Sequence, residues 1–228
     1  MGSPRTAQPP VHWTRPDPAA AWAVATGATG VLANVLLVLF FALAQPWRDS
    51  SSPWAWLGPA NDVVIVAQYL AFLPVPVALR DRLPDTRAVR AATAAALVAM
   101  VAVVVLQLLL IVGVLSFETQ VTYVVAAFLV VFLWVLAVSR TAYRTAALPR
   151  RIARAGLLIG SAFPLGVVVA AIALLAPDGS PARYVGLGVG GALGGASWLA
   201  LPVWPLLLAS RVLVAPPADR GNYREGPR

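Results

Sequence analysis

The sequence predicts an all-α, polytopic membrane bundle of six transmembrane helices with both termini cytoplasmic. Three observations carry that expectation. First, 60% of the 228 residues are hydrophobic and 11% are charged, against roughly 45–50% apolar and about 25% charged in soluble domains. The mean hydropathy is +0.79, and a soluble fold of this size has no polar cover for so much apolar surface. Second, the apolar residues gather into six runs, each close to the ~20 residues that a helix rising 1.5 Å per residue needs to cross a ~30 Å hydrocarbon core. Third, the basic residues, all of them arginine, crowd into alternate connectors, as the positive-inside rule requires.

Taken in order, residues 1–18 are rich in proline, arginine and polar residues and are expected to be disordered. Met1-Gly2-Ser3-Pro4-Arg5-Thr6 fits the N-myristoylation pattern in form. That modification is eukaryotic, whereas the arginine-only, alanine- and valine-rich composition reads as bacterial. The first span, 19–44, is too long for a signal peptide and lacks a convincing cleavage site, so it is expected to stay as a helix. The connector 45–60 carries Trp47, Trp54 and Trp56 among Pro46, Pro53 and Pro59. Indoles favour the headgroup zone, which makes this a short loop lying along the membrane surface. The second span, 61–79, opens on Asn61-Asp62, where a carboxylate suits a helix start and its dipole.

The third span is 91–115, the fourth 121–139 and the fifth 155–176. Strands are excluded, because no period-2 alternation is present and unpaired backbone cannot sit in lipid. The connectors before spans three and five share a Leu-Pro start, Leu83-Pro84 and Leu148-Pro149, with proline expected in the first turn of the helix that follows. With the N-terminus in the cytoplasm, Arg5 and Arg15, the 80–90 and 140–154 clusters and the arginines of the tail 211–228 all lie inside. Only Arg48 and Arg183 remain outside.

The sixth span, 185–210, is the most unusual. Gly186, Gly188, Gly190, Gly191, Gly194 and Gly195 fall within ten residues. At helical spacing Gly186, Gly190, Gly194 and Ser197 share one face, while Gly188, Gly191 and Gly195 share the next. Small residues let membrane helices approach closely, so two smooth faces predict two neighbours and a central position in the bundle. Gly156 and Gly160 are the expected partner face on the fifth span. Prolines interrupt three spans, with candidate kinks at Pro74 and Pro76, at Pro164, and at Pro202 and Pro205. Asn34, Gln68 and Gln107 are the amides of a candidate polar cavity, with Ser161 and Ser197 as further intramembrane polar groups.

The inventory excludes more chemistry than it offers. Without cysteine there is no disulfide, thiolate nucleophile or thiolate-held metal. The single histidine, His12, lies in the N-terminal tail, and without lysine no Schiff base can form. No charged residue sits in the middle of a span, where proton-coupled transporters usually carry one. No catalytic, cofactor-binding or metal site is therefore expected. A net charge of +8 does not indicate nucleic acid, because the arginines punctuate apolar runs instead of clustering on one folded surface.

The arginine-only, alanine- and valine-rich spans, the Asn61-Asp62 opening and the Leu148-Pro149-Arg150-Arg151 entry resemble those of the uncharacterised six- or seven-span membrane proteins of actinobacteria. The resemblance implies a multi-pass protein of the bacterial plasma membrane and transfers no functional residue. The expectation for function is a non-enzymatic membrane component that acts by helix packing, with itself or with a partner membrane protein. The arginine clusters would meet anionic lipid headgroups. The alternative is a small transporter or channel for an uncharged or lipophilic solute, drawing on the prolines and the amides.

Overall fold

In a computed structural model, residues 18–45 and 52–213 are described, and every regular element among them is helical. Six helical stretches are long and apolar enough to cross a membrane: Pro18–Ala44, Leu57–Arg80, Arg87–Ile111, Phe117–Thr145, Arg150–Ala173 and Pro181–Arg211. The tails, His12, Trp47 and Arg48 lie outside the described residues.

Span one is α1 (Pro18–Leu39), which ends in a π-helical turn over Phe40–Ala44. Span two is split into α2 (Leu57–Phe72) and α3 (Pro74–Arg80) at Leu73, and Pro74 takes the first turn of α3, where its missing N–H is not needed. Spans three, four and five are single helices, α4 (Arg87–Ile111), α5 (Phe117–Thr145) and α6 (Arg150–Ala173). Span six is split again, into α7 (Pro181–Ala200) and α8 (Val203–Leu208), with a closing π-helical turn over Ala209–Leu213.

Helix starts follow local chemistry. The side-chain oxygens of Thr86, Ser116 and Ser180 accept from the backbone N–H three residues on, at 3.2, 3.3 and 3.3 Å, so each satisfies one orphan donor of a helix N-terminus. Several boundaries differ from those expected. Helix α2 begins at Leu57, so Asp62 sits more than a turn inside it and is not a cap. Pro84 precedes the Thr86 cap and Pro149 is itself the cap residue, so neither lies in the first turn. Helix α5 runs from Phe117 to Thr145, well past 121–139, because its ends are set by the Ser116 cap and the left-handed Ala146 (φ 53°), not by where apolar residues stop. Helix α6 passes through Pro164 without interruption.

Consecutive spans pack on one another, and α8 of span six also packs on α1 of span one. The short links make neighbours antiparallel. Ten of the eleven described arginines (all but Arg183) therefore gather at one end of the bundle, the arginine end. A file of rings lies deep between the helices. Trp198 meets Phe128 (4.2 Å between centroids), Phe128 meets Tyr69 (5.7 Å) and Tyr69 meets Phe72 (6.3 Å). Phe72 then meets Trp134 (5.9 Å), which is edge-on to Trp204 (5.8 Å). These tilted and edge contacts are favoured by ring quadrupoles. They tie α2, α5, α7 and α8 together, and Tyr69, Phe72, Trp134 and Trp204 are all buried.

Candidate functional site

The glycines of span six divide into two groups of opposite character. A Cβ built on Gly190 would stand 2.7 Å from the Gly166 carbonyl oxygen and 2.8 Å from the Ala170 nitrogen, both backbone atoms of α6. Gly166 reciprocates, its Cβ position lying 2.7 Å from the Gly190 carbonyl oxygen and 2.8 Å from the Gly194 nitrogen. Gly186 faces Ala173 in the same way. This seam lets two backbones touch, and the Ser197 hydroxyl closes it by donating to the Ile159 carbonyl on α6. Beside Gly188, Gly191 and Gly195 a Cβ would meet nothing, and the same holds for the Cβ position of Gly194. Gly188, Gly191, Ala192, Gly195 and Ala196 are exposed.

Helix α7 is therefore not central. It packs chiefly on α6, and only its last turn reaches inward, through Trp198 to Phe128 and through the Leu199 carbonyl to Asn34. The central part of span six is α8, where Trp204 and Leu208 are fully buried. The partner face on α6 also differs from expectation. Gly160 faces Leu136 of α5, and Gly156 faces Ser139 of α5 and the Trp204 indole nitrogen, whereas α7 meets Gly166, Ala170 and Ala173. The reason is angular. Position 166 is six residues beyond 160, which turns it well away from the Gly156–Gly160 face.

Asn34, Gln68 and Gln107 do not line one cavity. The Asn34 amide donates to the Leu199 carbonyl at 3.0 Å, which ties α1 to the junction of α7 and α8. Gln68 is buried against the same junction: the Cβ position of Gly30 lies 2.7 Å from the Gln68 amide nitrogen and 2.7 Å from Pro202 Cγ. Gln107 belongs elsewhere. Its carbonyl oxygen accepts from the Gln120 amide at 2.9 Å in a buried pair, and its side chain lies near the half-buried Asp62. This Asp62–Gln107–Gln120 group joins α2, α4 and α5 near the end of the bundle opposite the arginines.

Gln120 was not among the expected residues, because an apolar run beginning at 121 excludes it. It carried a signal nonetheless. Residue 107 lies shortly before the turn at 112–116 and residue 120 shortly after it, at nearly matching distances, so a helical hairpin sets them side by side. Gly27 and Gly30 were also missed, although Ala23, Gly27, Gly30 and Ala33 repeat at helical spacing and are buried. Six further buried polar atoms (Asn61 Oδ1, Tyr69 OH, Thr93 Oγ1, Trp134 Nε1, Ser139 Oγ and Trp204 Nε1) have no hydrogen-bond partner among the described residues.

Ser161 is exposed, with its hydroxyl turned back to the Leu158 carbonyl at 3.2 Å. Among the described residues no group of three or more His, Cys, Asp or Glu converges as a metal site would. The chain matches no known protein family, no curated protein and no solved structure.

Proposed function

We propose that this protein is a non-enzymatic component of a bacterial plasma membrane, oriented with its arginine end toward the cytoplasm. It works by lateral helix packing through the outer face of α7, with a second copy or with a partner membrane protein. One observation supports this above the others: Gly188, Gly191 and Gly195 occupy a helix where a Cβ would meet nothing. Glycine costs a helix interior up to about 1 kcal/mol relative to alanine, and nothing among the described residues repays that cost at these three positions. A neighbouring backbone would. Gly191 and Gly195 are spaced four apart on the bare face, the small-xxx-small arrangement by which membrane helices cross closely. The face is the same on every copy, so it suits an isologous two-fold pair.

Reconstituted vesicles holding donor- and acceptor-labelled protein test the proposal. Gly191→Leu with Gly195→Leu should abolish energy transfer between copies, or co-purification of a membrane partner, while leaving thermal unfolding unchanged. Association that survives the double substitution would refute it. A second reading, a transporter or channel for a small uncharged solute, draws support from the Tyr69, Trp134, Ser139 and Trp204 polar atoms, buried along the aromatic file without a hydrogen-bond partner among the described residues. It expects the same substitutions to leave association unaltered.

A further inference from the structure

Helices α4 and α5 do not close on each other along their lipid side. Between them runs a groove of about 760 Å³, walled by Ala95 and Ala126 over Ala99, Ala102 and Val130 and ending at Tyr123. Such a volume falls in the range of small-molecule sites, roughly 300–1,000 Å³. From Ala94 to Leu106 the α4 wall is about 18 Å long at 1.5 Å per residue. The stretch crosses the middle of α4 (Arg87–Ile111) and covers more than half of a ~30 Å hydrocarbon core.

At the end away from the arginines the groove meets a second, polar hollow of about 320 Å³, lined by Glu118, Thr119, Thr122 and the same Tyr123. Tyr123 is 59% exposed and stands where one region passes into the other. Both threonine hydroxyls of the hollow have a defined state. Thr122 donates to the Glu118 carbonyl at 3.1 Å. Thr119 Oγ1 accepts from Ser116 at 2.9 Å, which leaves its own hydrogen to donate outward. The Glu118 carboxylate makes no hydrogen bond or ion pair with any described residue. The one described cation at this end, Arg183, is held by Asp178. Among the described residues Glu118 thus has no counter-charge, and it stands beside hydroxyl donors at the mouth of an apolar trough.

We propose that the α4–α5 groove binds one phospholipid bearing a primary ammonium headgroup. Its ammonium lies on Glu118, its phosphate oxygens accept from Thr119 and Tyr123, and one acyl chain lies along the alanines. A free amine would lack the tail that fills the trough. An anionic lipid would set its charge against Glu118, and a trimethylated ammonium has no N–H to give the carboxylate. A second copy inserted in the same orientation and docking in the groove by a two-fold axis along the membrane normal would bring its own Glu118 to the same level as this one.

Native mass spectrometry of the full-length protein titrated with phosphatidylethanolamine, phosphatidylglycerol or phosphatidylcholine tests this. Phosphatidylethanolamine should bind about tenfold more tightly than either of the others, the scale of one charge-assisted hydrogen bond. Glu118→Gln should erase that preference. Ala95→Leu with Ala126→Leu, at exposed positions on the groove walls, should weaken binding of phosphatidylethanolamine while leaving the unfolding temperature unchanged. Equal binding of the three lipids overturns the proposal, as does a preference that survives Glu118→Gln. So does a double-leucine variant that keeps its lipid but changes the oligomer distribution, which would make the occupant a second copy.

Discussion

Replacing one glycine of α7 with alanine should have opposite effects at adjacent positions. At Gly190 the new methyl would lie 2.7 Å from the Gly166 carbonyl oxygen, 2.8 Å from the Ala170 nitrogen and 2.9 Å from Ala170 Cβ, whereas ordinary contact begins at 3.4 Å. Two of those three atoms are backbone, so no side-chain rotation relieves the clash and α6 must move away by several tenths of an ångström. A gap of that order forfeits a quarter or more of each dispersion contact along the seam. Overpacking of this kind costs about 1–3 kcal/mol. At Gly191 the same methyl meets nothing within 4 Å. Both substitutions gain the same helix propensity, up to about 1 kcal/mol, and that gain cancels when the two variants are compared. Gly190→Ala should therefore be less stable than Gly191→Ala by about 1–3 kcal/mol, with Gly191→Ala at or above the parent. Reversible unfolding of the monomer in bicelles measures both. Equal stabilities, or a Gly190→Ala variant that exceeds the parent, would refute the assignment of one glycine face to α6 and the other to the outside.

Two further outcomes are expected. In a double-mutant cycle, Gln107→Leu and Gln120→Leu should show a coupling of about 0.6 kcal/mol, and no more than about 1.7, the range for hydrogen bonds between membrane helices; additive effects would mean that the 2.9 Å bond contributes nothing. The chain contains no cysteine, so single cysteines report topology directly. Asp85→Cys and Glu118→Cys should be labelled from opposite compartments of intact cells, and equal labelling of both by an impermeant reagent would contradict the one-sided placement of the arginines.

The helical class was legible because it rests on composition alone. A bilayer forces the backbone to satisfy itself, so each run of about 20 apolar residues has one available conformation. All six runs fall largely within the six long helices. What the runs could not show is where helices end, since that depends on capping and not on hydropathy. Ser116 begins α5 early enough to take in Gln120, and Leu57 begins α2 early enough to carry Asp62 inside. Nor do runs reveal which side of a helix meets which neighbour. Gly156 and Gly190 look equivalent in sequence, yet one faces α5 and the other α6. The two glycine faces of α7 were visible as periodicity. That only one of them is used within the chain follows from packing, because α8 beyond the Leu201–Pro202 break takes the central place instead.

The lateral role of α7 is tested most directly by a single cysteine at position 191 in the otherwise cysteine-free chain, oxidised in its native membrane. On oxidation Gly191→Cys should form a disulfide-linked pair with another copy, or, carrying a disulfide-tethered photoreactive label, should cross-link to a membrane partner that separates on reduction. Val168→Cys, on a lipid-facing side of α6 (53% exposed), should form none. Equal trapping at the two positions, or no trapping at 191, would contradict a docking role for the bare glycine face.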